Sequence, residues 1–155
     1  MSYAKGTTVA VDKSKLEIEK LLRQHGADEF ASGWAGNEAY IMFRLKPKEG
    51  PWVRVKMRLT LADAETFRIY ARGYSRYKRS DAQCFEVKDQ SDREKWRALV
   101  LVVKAKLEAV SQGISTIERE FMADILMPGG GTIGEQLPAL MQMAALPALP
   151  AGGGE

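Results

Sequence analysis

The sequence predicts an α+β domain: a small, mainly antiparallel sheet of about three or four strands packed on one long helix, with a helical C-terminal extension. Three observations predict it. Residues 38–60 hold two adjacent segments that alternate apolar and polar, the period of half-buried antiparallel strands. Residues 92–112 carry a broad apolar stripe at helical spacing. Residues 115–135 hold two capping-box patterns separated by Pro128-Gly129-Gly130-Gly131. With 155 residues, 45% of them hydrophobic and 28% charged, the chain is long enough for one core. The organisation read from it is an arm over 1–11, a single domain over 12–127 and an extension with a flexible tail over 128–155.

Taken in order, residues 1–11 are small, polar and β-branched (Thr7, Thr8, Val9, Val11), which predicts a loose arm ending in a short strand. From Asp12 the apolar Leu16, Ile18, Leu21 and Leu22 recur at helical spacing among charges. Asp12 or Ser14 serves as N-cap in this reading, and Gly26 supplies the left-handed stop after His25. Strands are predicted over 28–35, 38–46 and 52–60, joined by Gly36-Asn37 and by the Pro47–Pro51 loop. Ala39, Ile41, Phe43 and Leu45, with Val53, Val55, Met57 and Leu59, form the core face. Tyr40, Met42, Arg44 and Lys46, with Trp52, Arg54, Lys56 and Arg58, form the outer one.

The spacing next predicts a helix over 61–79, with Leu61, Phe67 and Ile69 inward. Gly73 weakens that helix by about 1 kcal/mol, and the basic and aromatic run Tyr70 to Arg79 in its later part has an ordered loop as its alternative. The most secure element runs from Ser91 or Asp92 to Gln112, with Trp96, Leu99, Val100, Val103, Leu107 and Val110 on one stripe widened by Leu101 and Val102. It packs against the sheet or against a partner chain. Ser115-Thr116-Ile117-Glu118 opens a helix through Met127 with Ile117, Phe121 and Ile125 inward, and Thr132-Ile133-Gly134-Glu135 opens a weaker one to Leu146. Pro138 is tolerated by falling early in that helix.

Several parts of this sequence together carry a resemblance. Lys13-Ser14-x-x-Glu17-Ile18-x-x-Leu21-Leu22-x-x-x-Gly26-Ala27, Ile41-x-Phe43-Arg44, and Trp96 to Val110 followed by Gly113-Ile114-Ser115-Thr116 resemble a family of phage and prophage proteins without an assigned activity. The similarity covers most of residues 5–135 and is weakest over 60–90. It implies a bacterial virus or an integrated element as the source, and no catalytic residue or cofactor.

Counting residue types removes most catalysis. A single cysteine, Cys84, excludes an internal disulfide and a cysteine-rich zinc site, and a single histidine, His25, removes most Ser-His-Asp and zinc arrangements. Asp81 with Glu86-Val87-Lys88 echoes the carboxylate and ExK elements of metal-dependent nucleases, but such a triplet arises readily by chance. Gly129–Gly131 lacks the lysine and preceding strand of a phosphate loop. The order helix, three strands, helix over 12–79 matches a double-stranded-RNA-binding domain in topology alone, because Leu61–Glu65 is acidic where that domain needs lysines. A non-catalytic protein with no cofactor and no metal is expected. No apolar run approaches the roughly 20 residues of a membrane span and no basic-then-apolar leader follows Met1, which predicts a cytoplasmic protein with no membrane partner; the resemblance implies that the cytoplasm is that of a bacterial host.

Charge locates a binding surface. Between Arg44 and Arg79 stand eleven cations against three anions, an excess of +8 in a chain whose net charge is +3. Cations along a track attract phosphates and aromatic planes stack on unpaired bases. The predicted nucleic-acid contacts are Tyr40, Arg44, Trp52, Arg54, Lys56 and Arg58 on the sheet, with Arg72, Tyr74, Arg76 and Arg79 beyond it. The expected partner is single-stranded DNA or RNA. The alternatives are an acidic protein surface, since Tyr and Arg also anchor protein interfaces, and charges that are merely solvated; a homo-oligomer is compatible with all three.

Overall fold

A computed structural model describes residues 4–145 and 147. Its elements are α1 (Val11–Gln24), β1 (Glu29–Ala35), β2 (Glu38–Leu45), β3 (Val53–Thr60), β4 (Ile69–Arg72), β5 (Ser75–Lys78), α2 (Asp81–Ser111), α3 (Ile117–Phe121) and α4 (Ile133–Met143). The fold is α+β: a three-stranded antiparallel sheet in the order β1-β2-β3, a separate two-stranded sheet β4-β5, and the 31-residue α2. Most of the predicted tail over 146–155 lies outside the described residues.

The alternation in β2 and β3 does what its period requires. Ala39, Ile41, Phe43, Leu45, Val55 and Met57 are buried, with Val53 and Leu59 packed at the margin. Their partners across the core are Ile18 and Leu22 of α1 and Trp96, Leu99, Val100, Val103 and Leu107 of α2, one face of each helix. Phe121 closes the far end. Its ring meets Phe43 edge-on, with centroids 5.5 Å apart and planes at 82°, a contact worth about 0.5 to 1.5 kcal/mol beyond burial. Leu101 and Val102 do not widen the buried stripe: both are exposed, because they project from the far side of the helix.

At the N-terminus, residues 7–10 form no strand, and α1 starts at Val11 with Ala10 rather than Asp12 or Ser14 at its cap. Ser14 is instead turned into the core with Ile18 and Leu22, and its hydroxyl has no hydrogen-bond partner among the described residues. Gly26 ends α1 as expected, at φ +91°, with Ala27 N–H donating to the Leu22 carbonyl at 3.0 Å. Gly36 and Asn37 join β1 to β2, and only Gly36 has positive φ, the pattern of a II′ turn.

The predicted 61–79 helix is absent. A 3₁₀ turn over Ala64–Phe67 leads into the β4-β5 hairpin, which turns at Gly73-Tyr74 with Gly73 at φ +63°. All eight strand residues are exposed, so no burial exists to hold a helix whose middle is a glycine, whereas the II′-type turn uses that glycine's freedom. With the hairpin inserted before α2, the match to the double-stranded-RNA-binding order is lost.

α2 begins ten residues earlier than its apolar stripe indicates. Ser80 caps it, its hydroxyl accepting from Gln83 N–H while Ser80 N–H donates to Gln83 Oε1. Thr116, not Ser115, caps α3, which stops at Phe121. Residues 122–124 continue as 3₁₀, and Ile125 then pairs beside Val55 instead of extending a helix to Met127. Leu126 N–H donates to the Arg54 carbonyl at 2.8 Å, covering the outer edge of β3. The Thr132–Glu135 capping box forms as expected and α4 runs to Met143, with Pro138 one and a half turns inside it. Gly134 lies so close to the Ala123 carbonyl that a Cβ would meet it at 2.7 Å, so this glycine permits α4 to dock.

Candidate nucleic-acid interface

The basic segment folds into two surfaces, and they differ in what their charges already touch. On the outer face of the sheet, the II′ turn fixes the β1-β2 register and sets Glu29 opposite Arg44. Arg44 donates to both oxygens of Asp28, at 2.9 and 2.5 Å, and lies 3.6 Å from Glu29. This fork holds the Asp28 carboxyl below the usual range and raises Arg44 in return. Arg54 reaches Glu29 at 2.8 Å, and Arg58 pairs with Glu135 from α4. Glu135 is held low first by the Thr132 N–H it accepts and then by Arg58.

The aromatic planes on this face are covered as well. Tyr40 lies flat across Gly33 of β1, where a Cβ would fall 2.4 Å from its hydroxyl oxygen. Lys56 sits over the same ring, 4.6 Å from its centroid. Trp52 is 41% exposed, with the Arg44 guanidinium 4.9 Å from its ring centre. The structure therefore brings Tyr40, Arg44, Trp52, Arg54, Lys56 and Arg58 to one face, as predicted, with the arginines neutralised by carboxylates and the rings capped by cations of the same chain. The sequence analysis does not identify Asp28, Glu29 or Glu135 as partners of these cations, and reads Glu135 as a helix cap alone. Glu29 was accessible in principle from the register, while Glu135, 77 positions from Arg58, carried no local signal.

The β4-β5 hairpin is the second surface. From Ile69 to Arg79 it holds four cations, three tyrosines and no carboxylate. Tyr70 and Tyr77 face each other across the strands and stack at 5.5 Å, with Arg72 on the same side. Arg79 covers the outer face of Tyr70 at 4.2 Å and donates to the Phe67 carbonyl at 2.8 Å. Arg72, Arg76 and Lys78 make no ion pair or side-chain hydrogen bond among the described residues. Tyr74, at the turn, is fully exposed.

The root of the hairpin is clamped by Arg68. Its guanidinium reaches Glu65 at 2.7 Å, Asp81 at 2.6 Å and the Arg79 carbonyl at 3.0 Å, and both carboxylates hold it strongly protonated. Arg79 N–H in turn donates to the Arg68 carbonyl at 2.7 Å. Arg68 thus aims the arm without belonging to its open face.

No family model, curated protein or solved structure matches this chain. Asp81 is engaged by Arg68, and Lys88 pairs with Asp92 at 3.1 Å and donates to the Ala62 carbonyl at 3.0 Å. Glu86 and Lys88, two positions apart on α2, point to different sides, so the nuclease-like triplet does not assemble. Among the described residues no three His, Cys, Asp or Glu side chains converge as a metal site, and no helix is long and apolar enough to cross a membrane. His25 Nδ1 lies 2.8 Å from the Leu21 carbonyl at the end of α1, and Cys84 is buried in α2.

Proposed function

We propose that the protein is a non-catalytic nucleic-acid-binding accessory protein that engages single-stranded DNA or RNA through the β4-β5 arm. The observation that carries this reading is a ribbon lacking carboxylates on which Arg72 and Arg76, unpaired among the described residues, stand one on each side near the fully exposed Tyr74 at the turn. Phosphates need cations whose charge is not already spent, and an unstacked base needs a plane with a free face. On the sheet face the three arginines are spent on carboxylates and both rings carry cations, leaving Lys56, which lies over Tyr40 without an ion pair among the described residues, and the part-exposed Trp52. Its residues accordingly serve as a supporting surface, with Trp52 as the one ring there that keeps substantial exposure. A phage-encoded role belongs to the same proposal and draws on the resemblance described above.

Ile69 favours a second reading. It lies 62% exposed beside Ala71 on the other side of the ribbon, where an acidic protein partner would find an apolar anchor among cations. Fluorescence anisotropy with labelled single-stranded and duplex oligonucleotides across a salt series separates the readings. Nucleic-acid binding predicts single-strand affinity that falls steeply with salt, by counterion release. Preference for duplex would place the ribbon in a groove instead, and absence of binding at low salt would transfer the arm to a protein partner.

A further inference from the structure

We infer that β1 is a self-pairing edge, through which two copies of the chain join their three-stranded sheets into one six-stranded sheet. Among the described residues β1 is bonded to β2 on one side and to nothing on the other, while the opposite edge of the sheet is covered by Ile125 and Leu126. Native edges are usually protected by charge, proline or a bulge. β1 has neither a proline nor a bulge, and its one charge, Glu29, stands at its first position: its register with β2 is unbroken over seven pairs, and residues 30–37 contain neither a charged residue nor a proline.

The geometry specifies one register. A two-residue loop makes its flanking pair, Ala35 and Glu38, exchange both backbone bonds, so Gly33, Ala31 and Glu29 also bond inward to β2. Phe30, Ser32 and Trp34 therefore turn their N–H and C=O groups to the open edge. An antiparallel pair centred on Ser32 matches all of them to a second copy, Ser32 to Ser32, Phe30 to Trp34 and Trp34 to Phe30, with roughly six new hydrogen bonds. Glu29, the only charged residue in the strand, falls opposite Ala35 and meets no like charge.

Side chains agree with that register. Trp34 is 76% exposed although it stands opposite the buried Ala39, on the side of the sheet that faces the core. Beside Phe30, on that same side, an open groove of about 280 Å³ lies between the end of α1 and the start of β1, with Leu22, Ala27 and Phe30 as its apolar lining and Glu19, Asp28 and Glu29 as its carboxylates. The two-fold brings the Trp34 of one copy to the Phe30 of the other, twice, so an exposed indole and an unfilled groove become each other's partners. This is the isologous relation that closed dimers require.

Sedimentation equilibrium on the full chain, from low micromolar to about 200 μM, tests the inference. The wild type is expected to form a dimer at the upper concentrations. Ser32→Pro removes an outward N–H without touching the β2 ladder, and Trp34→Glu places an anion at a groove bordered by Glu19, Asp28 and Glu29. Each is expected to weaken association at least tenfold with an unchanged far-UV spectrum. A wild type that stays monomeric throughout, or a dimer that survives Trp34→Glu unchanged, overturns it. Should Ser32→Pro fail to fold, Trp34→Glu alone decides.

Discussion

The outer face of the sheet and the β4-β5 arm come from one continuous basic stretch, yet they present opposite chemistry. On the sheet, Arg44, Arg54 and Arg58 each meet a carboxylate, and Tyr40 is sandwiched between Gly33 and Lys56. On the arm, Arg72, Arg76 and Tyr74 meet solvent. The difference teaches that a local excess of cations marks a region, whereas the carboxylates folded onto it decide which part can bind. Exposed ion pairs of this kind add little stability, so their main effect here is to lower the charge that the sheet presents.

The largest expected contrast is in stability. Leu107→Ala empties a fully packed site beneath the sheet and is expected to cost about 2 to 5 kcal/mol. Tyr74→Ala, on the arm, is expected to leave the melting temperature within error. Thermal unfolding of both variants checks this, and an arm variant that destabilised the whole domain would break the division between the two regions.

Binding sharpens the same contrast. Tyr74→Ala is expected to weaken single-strand affinity by about 1 to 3 kcal/mol, the range for loss of one stacking plane. Trp52→Ala, whose ring is already engaged by Arg44, is expected to weaken it by less. Isothermal titration of the two variants against the same oligonucleotide gives the comparison. A larger loss at Trp52 would return the site to the sheet.

Much of this architecture was legible because the apolar pattern was strict. β2 and β3 alternate without error, and Gly36 could serve as the first residue of a II′ turn, so strands, faces and register followed from local physics. The first ten residues of α2 were missed because, between Asp81 and Gln90, Cys84 is the one buried side chain and charges surround the helix on the remaining sides. Ser80-x-x-Gln83, a capping box, was the overlooked signal. The arm is not legible from helical spacing because its segment buries nothing, and Tyr70 and Tyr77 find each other only once Gly73 turns the chain. For the site, residue types and approximate location were readable. Which cations remained open was not, since the Arg58 partner comes from α4 by tertiary contact.

A smaller effect is expected with pH. The Glu135 carboxyl titrates lower in the folded protein than in the unfolded chain, so its contribution is present above the unfolded value and is lost as pH falls through the folded one. Glu135→Gln keeps the helix cap but removes the charge. Between neutral pH and pH ~3 the variant should lose less thermal stability than the wild type, as followed by circular dichroism. An equal loss would mean that Arg58 and Glu135 do not couple α4 to the sheet.

The most direct test compares salt slopes for single-stranded DNA in two double variants, Arg72→Ala with Arg76→Ala on the arm and Arg54→Ala with Arg58→Ala on the sheet. Each phosphate contact contributes about 0.7 to the slope on single strands, so the arm variant is expected to lose roughly 1.4 from the slope, with the sheet variant close to wild type. A loss confined to the sheet variant, with the arm variant binding as the wild type does, would contradict the assignment of nucleic-acid contact to the unpaired cations of β4-β5.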